Sequence, residues 1–125
     1  MPRKPLDFDA VREIALTLPE VEASTTYGGP SVKVRKQLLA CPAIHKSAEP
    51  GTLVVRLGFD DRDRLVKTQP TVYYLTDHYK NYPSILVRLS QIRRDALREL
   101  LGTAWRFVME RAPESKKKRG ERRGG

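Results

Sequence analysis

Three kinds of chemistry are open to the reactive side chains of this chain. The segment "TDHYKNYPSILVRL", Thr76 to Leu89, sets His78 beside Asp77 and follows with Tyr79, Lys80, Tyr82 and Pro83. A histidine next to a carboxylate suggests a base with its orienting partner, but neighbours on extended backbone point to opposite faces, and no nucleophile motif such as GxSxG accompanies it. Catalysis by His78 is therefore not expected. The other histidine, His45, is far off in sequence, with no Cys or carboxylate at ligand spacing, so no metal site is expected. Cys41, the single cysteine, stands between Ala40 and Pro42 and reads as a small core filler; it excludes an internal disulfide.

The remaining chemistry is that of binding. Lys33, Arg35 and Lys36 lie on or beside a strand turn, where they can reach phosphates. Tyr79, Lys80, Asn81 and Tyr82 offer hydroxyls, a cation and an amide on a loop stiffened by Pro83, groups suited to phosphate and sugar contacts. The alternative is that Tyr79 and Tyr82 pack the loop onto the sheet while the charges face water. Gly28-Gly29-Pro30 lacks the spacing of either phosphate-binding glycine motif and reads as a turn. Tyr73 and Tyr74 read as sheet packing.

The elements that position these groups follow from periodicity. Asp7 or Asp9 caps a first helix with Phe8, Val11, Ile14, Ala15 and Leu18 on one face, stopped by Pro19. Residues 20–30 are polar and end in turn chemistry. In "SVKVRKQLLA", Val32 and Val34 alternate with Ser31, Lys33 and Arg35, giving a half-buried strand; a turn near Arg35 to Gln37 leads to a partner strand at Leu38 to Ala40. A proline-rich loop over residues 42–51 precedes the strand "TLVVRLGF". Asp60 or Asp61 caps a short helix ended by Pro70, and "TVYYLT" and "SILVRL" are the next strands. Leu97, Leu100, Leu101, Ala104, Trp105, Val108 and Met109 follow one helical stripe that must cover a sheet. Short connections between strands favour an α+β domain with a central antiparallel sheet flanked by N- and C-terminal helices. The domain is expected over residues 5–112, and residues 113–125, which lack apolar side chains, are expected to be a disordered basic tail.

Charge narrows the partners. Of the formal +9, the segment after Arg111 carries six Lys/Arg against two Asp/Glu, which leaves +5 on residues 1–111. A basic body favours polyanions over acidic-protein or cationic surfaces, through attraction that is not sequence-specific. No apolar run approaches the roughly 18 residues that cross a bilayer, and the basic N-terminus has no apolar stretch behind it, so no membrane partner is expected and a cytoplasmic location is.

Three segments, "LPEVEASTTYGGPSVKV", "TDHYKNYPSILVRL" and "LRELLGTAW", resemble the MmcQ/YjbR family across nearly the whole body. The resemblance implies an α+β fold related in outline to secretion-chaperone-like folds. It also implies non-catalytic DNA binding by a double wing of projecting strand-loop segments, with no cofactor. Carried over, Tyr27, Gly28 and Pro30 form the earlier signature turn, and His78, Tyr79, Tyr82 and Pro83 the signature loop. The chain departs from the family pattern at Cys41-Pro42 and in the longer loop to Gly51. Duplex DNA is then the expected partner, met weakly and without sequence preference by Lys33, Arg35, Lys36, Lys80 and Arg88. The alternative is a pocket or protein-interaction module whose His78 loop and Tyr27 turn recognise a small anion or a peptide.

Overall fold

Asp7 opens the first helix, α1 (Phe8–Ala15): its backbone is extended and its side chain accepts from the Ala10 N–H at 3.1 Å. Val11, Ile14 and Ala15 are its buried face. The helix ends before Leu18, because a residue preceding proline is pushed out of the helical region. The computed structural model describes residues 6–26 and 28–111. The remaining elements are β1 (Val21–Thr26), β2 (Gly29–Val34), β3 (Gln37–Pro42), β4 (Thr52–Arg56), α2 (Phe59–Thr68), β5 (Tyr73–Tyr74), β6 (Ser84–Arg88) and α3 (Arg94–Arg111). Six strands form one antiparallel sheet in the order β1-β2-β3-β4-β6-β5, which is the expected α+β architecture. The expected domain limits at residues 5 and 112, the tail and Tyr27 lie outside the described residues.

α1 and α3 cover one face of this sheet. Beneath them lie Val32 and Val34 of β2, Leu53 and Val55 of β4, and Ile85 and Val87 of β6, against Leu97, Leu101 and Ala104 of α3. Burying a Val, Leu or Ile side chain contributes about 1.5–3 kcal/mol, so this layer is the main stabilising element. Trp105 and Met109, expected on the buried stripe, flank it half-buried, and the Trp105 indole N–H donates to the Pro19 carbonyl at 2.8 Å.

Four local expectations are corrected. Residues 20–30 are not a polar connection throughout: Val21–Thr26 pair with β2 as an edge strand, and Gly28, at φ +78°, belongs to the hairpin turn. In the strand at 31–35, Ser31 is buried and hydrogen-bonded to Thr26 at 3.0 Å. Arg35 leaves that strand for the turn, where Arg35 and Lys36 both hold positive φ (+51° and +67°), as a two-residue type I′ hairpin requires. The second helix starts at Phe59 with Gly58 as its cap, while Asp60 and Asp61 sit in the first turn, where their charge suits the helix dipole. "TVYYLT" yields only the two-residue edge strand Tyr73–Tyr74.

β3 carries a bulge. Val32 pairs with Ala40 but Lys33 pairs with Leu38, so Leu39 is an extra residue. Leu39 and Ala40 consequently both enter the core beneath the helices, while Leu38 and Cys41 face the other way.

Candidate functional site: the helix-free face of the sheet

The face turned away from the helices starts as an apolar ladder across four strands. Cys41 pairs with Val54, Val54 with Leu86 and Leu86 with Tyr74. Loops rather than helices cover this second cluster, through Ala43, Ala48 and Tyr79. They are residues 43–51, after β3, and 75–83, before β6.

The two loops are fastened to each other. The His45 and His78 rings stack in parallel, centroids 3.5 Å apart, and the Tyr79 ring stands edge-on to both. Ser47 Oγ and Thr76 Oγ1 hydrogen-bond at 2.8 Å. The Glu49 N–H donates to the Tyr74 hydroxyl at 2.8 Å, and that hydroxyl also bonds Thr52 Oγ1 at 2.6 Å.

Two arginines then fix the loops to the body. Arg88 makes two hydrogen bonds to the Glu49 carboxylate (3.0 and 2.8 Å), donates to the Pro70 and Thr71 carbonyls, and lies 4.2 Å from the Tyr74 ring centre. Arg62, buried on α2, donates to the carbonyls of Lys80 (2.8 Å) and Tyr82 (3.0 Å) and lies over the Phe59 ring. Turn hydrogen bonds finish the second loop: the N–H groups of Tyr79 and Lys80 share the Thr76 carbonyl, and the Pro83 carbonyl accepts from Leu57 N–H.

Beside the stacked histidines the face opens into a groove of about 690 Å³. Leu38, Cys41 and Val54 form its apolar floor, and Ile44, His45, His78, Tyr79 and Tyr82 rise around it. Arg56 and Lys46 supply its fixed positive charge; no aspartate or glutamate lines it. Among the described residues Arg56 has no ion-pair partner. Burial pushes the Cys41 thiol above its usual range, against the opposing effect of the Arg56 charge, so the floor of the groove stays neutral. His45 Nδ1 accepts from the Ser47 N–H at 3.1 Å, which places the ring proton on Nε2. Its pKa is lowered, first by partial desolvation and then by the charges of His78 and Lys46.

The residues expected from sequence are divided by this geometry. His78, Tyr79 and Tyr82 wall the groove, and Pro83 borders a neighbouring hollow. Gly28 and Pro30 sit at the β1–β2 hairpin and do not line it. Lys33 pairs across the sheet with Leu38, half-buried on the groove side, and Lys36 is exposed in its turn. Lys80 is exposed, with Asp77 at 3.5 Å. The five expected DNA-contacting cations do not form one free set. Arg35 chelates both oxygens of Glu20 at 3.1 Å, and Arg88 is held by Glu49 and two carbonyls. The sequence reading passed over Arg56, Arg62 and His45 as site residues. The one signal available was a charged residue inside each of two otherwise apolar strands, "TLVVRL" and "SILVRL".

Among the described residues, no helix is long and apolar enough to cross a membrane. A family model described as YjbR matches residues 16–107. Uncharacterised proteins of Mycobacterium tuberculosis (Rv2570) and Mycobacterium bovis (Mb2600) are 44% identical over 41 residues. That match covers 33% of this chain and 32% of each relative, about a third of their length. The crystal structure of Deinococcus radiodurans protein DR2400, of domain DUF419, matches with a TM-score of 0.67 at 18% identity, over 83% of this chain and 79% of that one. The likeness extends to the fold alone. With the family model running from the end of α1 through most of α3 and taking in both signature segments, the chain belongs to the YjbR family.

Proposed function

We propose that the protein is a binding module, without turnover, whose helix-free face takes a small amphipathic anion: a carboxylate or phosphate ester with an apolar body. The observation that carries this reading is Arg56, a half-buried guanidinium with no ion-pair partner among the described residues, at a groove whose floor is apolar. A partly desolvated cation gains from a bidentate anion, and the apolar body gains by covering Leu38, Cys41 and Val54. The volume falls in the usual range of small-molecule sites, about 300–1,000 Å³. Binding rather than catalysis is supported by a thiol kept protonated by burial and by a His45 Nδ1 already engaged by Ser47.

The test is calorimetry and thermal shift against aryl and alkyl carboxylates and phosphate esters, with Arg56→Gln beside the parent. We expect at least one compound to bind about tenfold more weakly to the variant, the loss of one charge-assisted pair. Equal binding by parent and variant would overturn the reading, as would a panel with no binder.

A second reading is weak contact with duplex DNA, as the family resemblance implies. It is supported by Lys33 and Lys36, neither of which has an ion-pair partner among the described residues, and by the formal charge of +9. With Arg35 and Arg88 engaged, Lys33, Lys36 and Lys80 remain, the last after exchanging its exposed 3.5 Å contact with Asp77 for a phosphate. Neutralising three phosphates gives a slope of about −2.7 for log affinity against log salt. Lys33→Glu with Lys36→Glu should flatten that slope by about two. An unchanged slope would leave the contact to charges elsewhere in the chain.

A further inference from the structure

A second, smaller hollow adjoins the groove. It holds about 200 Å³ between the start of α2 and the last turns of α3, and it shares Leu38 and Arg56 with the larger one. Its apolar lining includes Phe59, Phe107 and Val108, and its further cation is Arg111. Arg56 therefore stands where two apolar depressions meet.

Two observations say what spans them. The four large apolar side chains most exposed among the described residues are Leu16, Ile44, Phe59 and Tyr82. Three of these border the two hollows: Ile44 and Tyr82 the larger, Phe59 the smaller. A small anion seated on Arg56 would leave these rims in water, whereas a longer partner covers them. The second observation is charge. Neither hollow is lined by an aspartate or glutamate, although two further depressions on the described surface each contain them, Asp7 and Glu49 in one and Asp61 and Glu99 in the other.

We infer that the two hollows form one docking groove for an extended acidic peptide segment of a partner protein. The segment places an aspartate or glutamate on Arg56 and an apolar side chain in each hollow. The inference rests on the anion-binding reading and deepens it by naming the ligand class. In this arrangement Arg56 is the anchor, Ile44 and Tyr82 shelter one apolar residue of the partner, and Phe59 shelters the other. The rim excludes water from the ion pair and so strengthens it.

The experiment is fluorescence polarisation with a labelled peptide carrying one glutamate between a leucine and a phenylalanine, its glutamine counterpart, and benzoate as unlabelled competitor. Parent, Arg56→Gln, Phe59→Ala and Ile44→Ala proteins are compared, their folds checked by circular dichroism. We expect the glutamate peptide to bind more tightly than the glutamine one and at least about fivefold more weakly to Phe59→Ala, the size of one rim contact. Direct calorimetry of benzoate should be unchanged by Phe59→Ala. Ile44 is the most exposed of the rim residues, so Ile44→Ala tests the larger hollow where Phe59→Ala perturbs α2. Benzoate binding that depends on Arg56, with peptides no tighter or indifferent to both rim substitutions, overturns the docking groove and keeps the anion site. No binding of benzoate or peptide overturns both.

Discussion

The imidazoles of His45 and His78 lie face to face, 3.5 Å apart and within 7° of parallel, and so join the two loops that roof one end of the sheet. Both rings cannot carry protons at that separation without repulsion. His45 is the constrained one, because its Nδ1 must keep a lone pair for the Ser47 N–H.

The consequence for pH has a definite sign. The folded pKa of His45 is lowered, so the unfolded chain binds the proton first as acid is added. Its contribution is complete above the unfolded value of about 6.5 and is lost as pH falls through the lower folded value. Glu49 and Glu20, lowered by hydrogen bonds from Arg88 and Arg35, contribute above the ordinary carboxylate range and are lost at more acid pH. A profile of melting temperature against pH should therefore fall in two stages. His78→Ala should raise the His45 pKa seen by proton NMR; an unmoved value would show that the stacked ring does not constrain His45.

Arg62 is buried with two loop carbonyls on one guanidinium nitrogen. Arg62→Ala should destabilise the protein by about 1–3 kcal/mol, the loss of hydrogen bonds from a charged, buried donor. Lys should not restore it, since an ammonium lacks the planar fork. Hydrogen exchange should quicken selectively at Tyr79, Lys80 and Tyr82, whose N–H groups make the turn bonds; uniform quickening would point to a general loss of stability instead.

Arg88 and Glu49 should respond unequally. Glu49→Gln removes only the carboxylate charge from an exposed pair, whereas Arg88→Ala also strands the Pro70 and Thr71 carbonyls and uncovers Tyr74. Chemical denaturation should show the larger loss for Arg88→Ala. Equal losses would reduce Arg88 to the role of a surface ion.

Lys36 holds φ at +67° without being glycine, in a turn whose type favours glycine there. A side-chain residue in the left-handed region carries about 1–2 kcal/mol of strain, partly offset because glycine loses more entropy on folding. Lys36→Gly should leave stability unchanged or raise it by up to about 1 kcal/mol. A clear loss in thermal denaturation would mean that the lysine side chain makes a stabilising contact.

α3, β2, β4 and β6 were legible because each buries a face or a run whose period shows in the residues themselves, as Leu97, Leu101 and Ala104 do. β1 was not. An edge strand written Val-Glu-Ala-Ser-Thr-Thr keeps most side chains partly or fully in water and carries no alternation to read. The histidine loop was visible as a cluster, but its stacking partner was not, since His45 reaches it only once residues 43–51 fold back over the sheet. The arginines teach the same lesson. Arg56 and Arg88 close β4 and β6 and Arg35 follows β2, and only the positions of Glu20 and Glu49 in the folded chain decide that Arg35 and Arg88 are paired while Arg56 has no ion-pair partner among the described residues.

The bulge in β3 separates two tasks that a regular strand would couple. Because Leu39 is supernumerary, removing it would leave Ala40 opposite Val32 and Leu38 opposite Lys33, with the pairing to β4 intact. The groove side would read the same, Leu38 then Cys41, while the helix side would lose a fully buried leucine. Interior bulk and floor chemistry can therefore drift independently along one strand: a change in its length is absorbed by the core, and a change in its lettering at 38 or 41 alters only the groove floor.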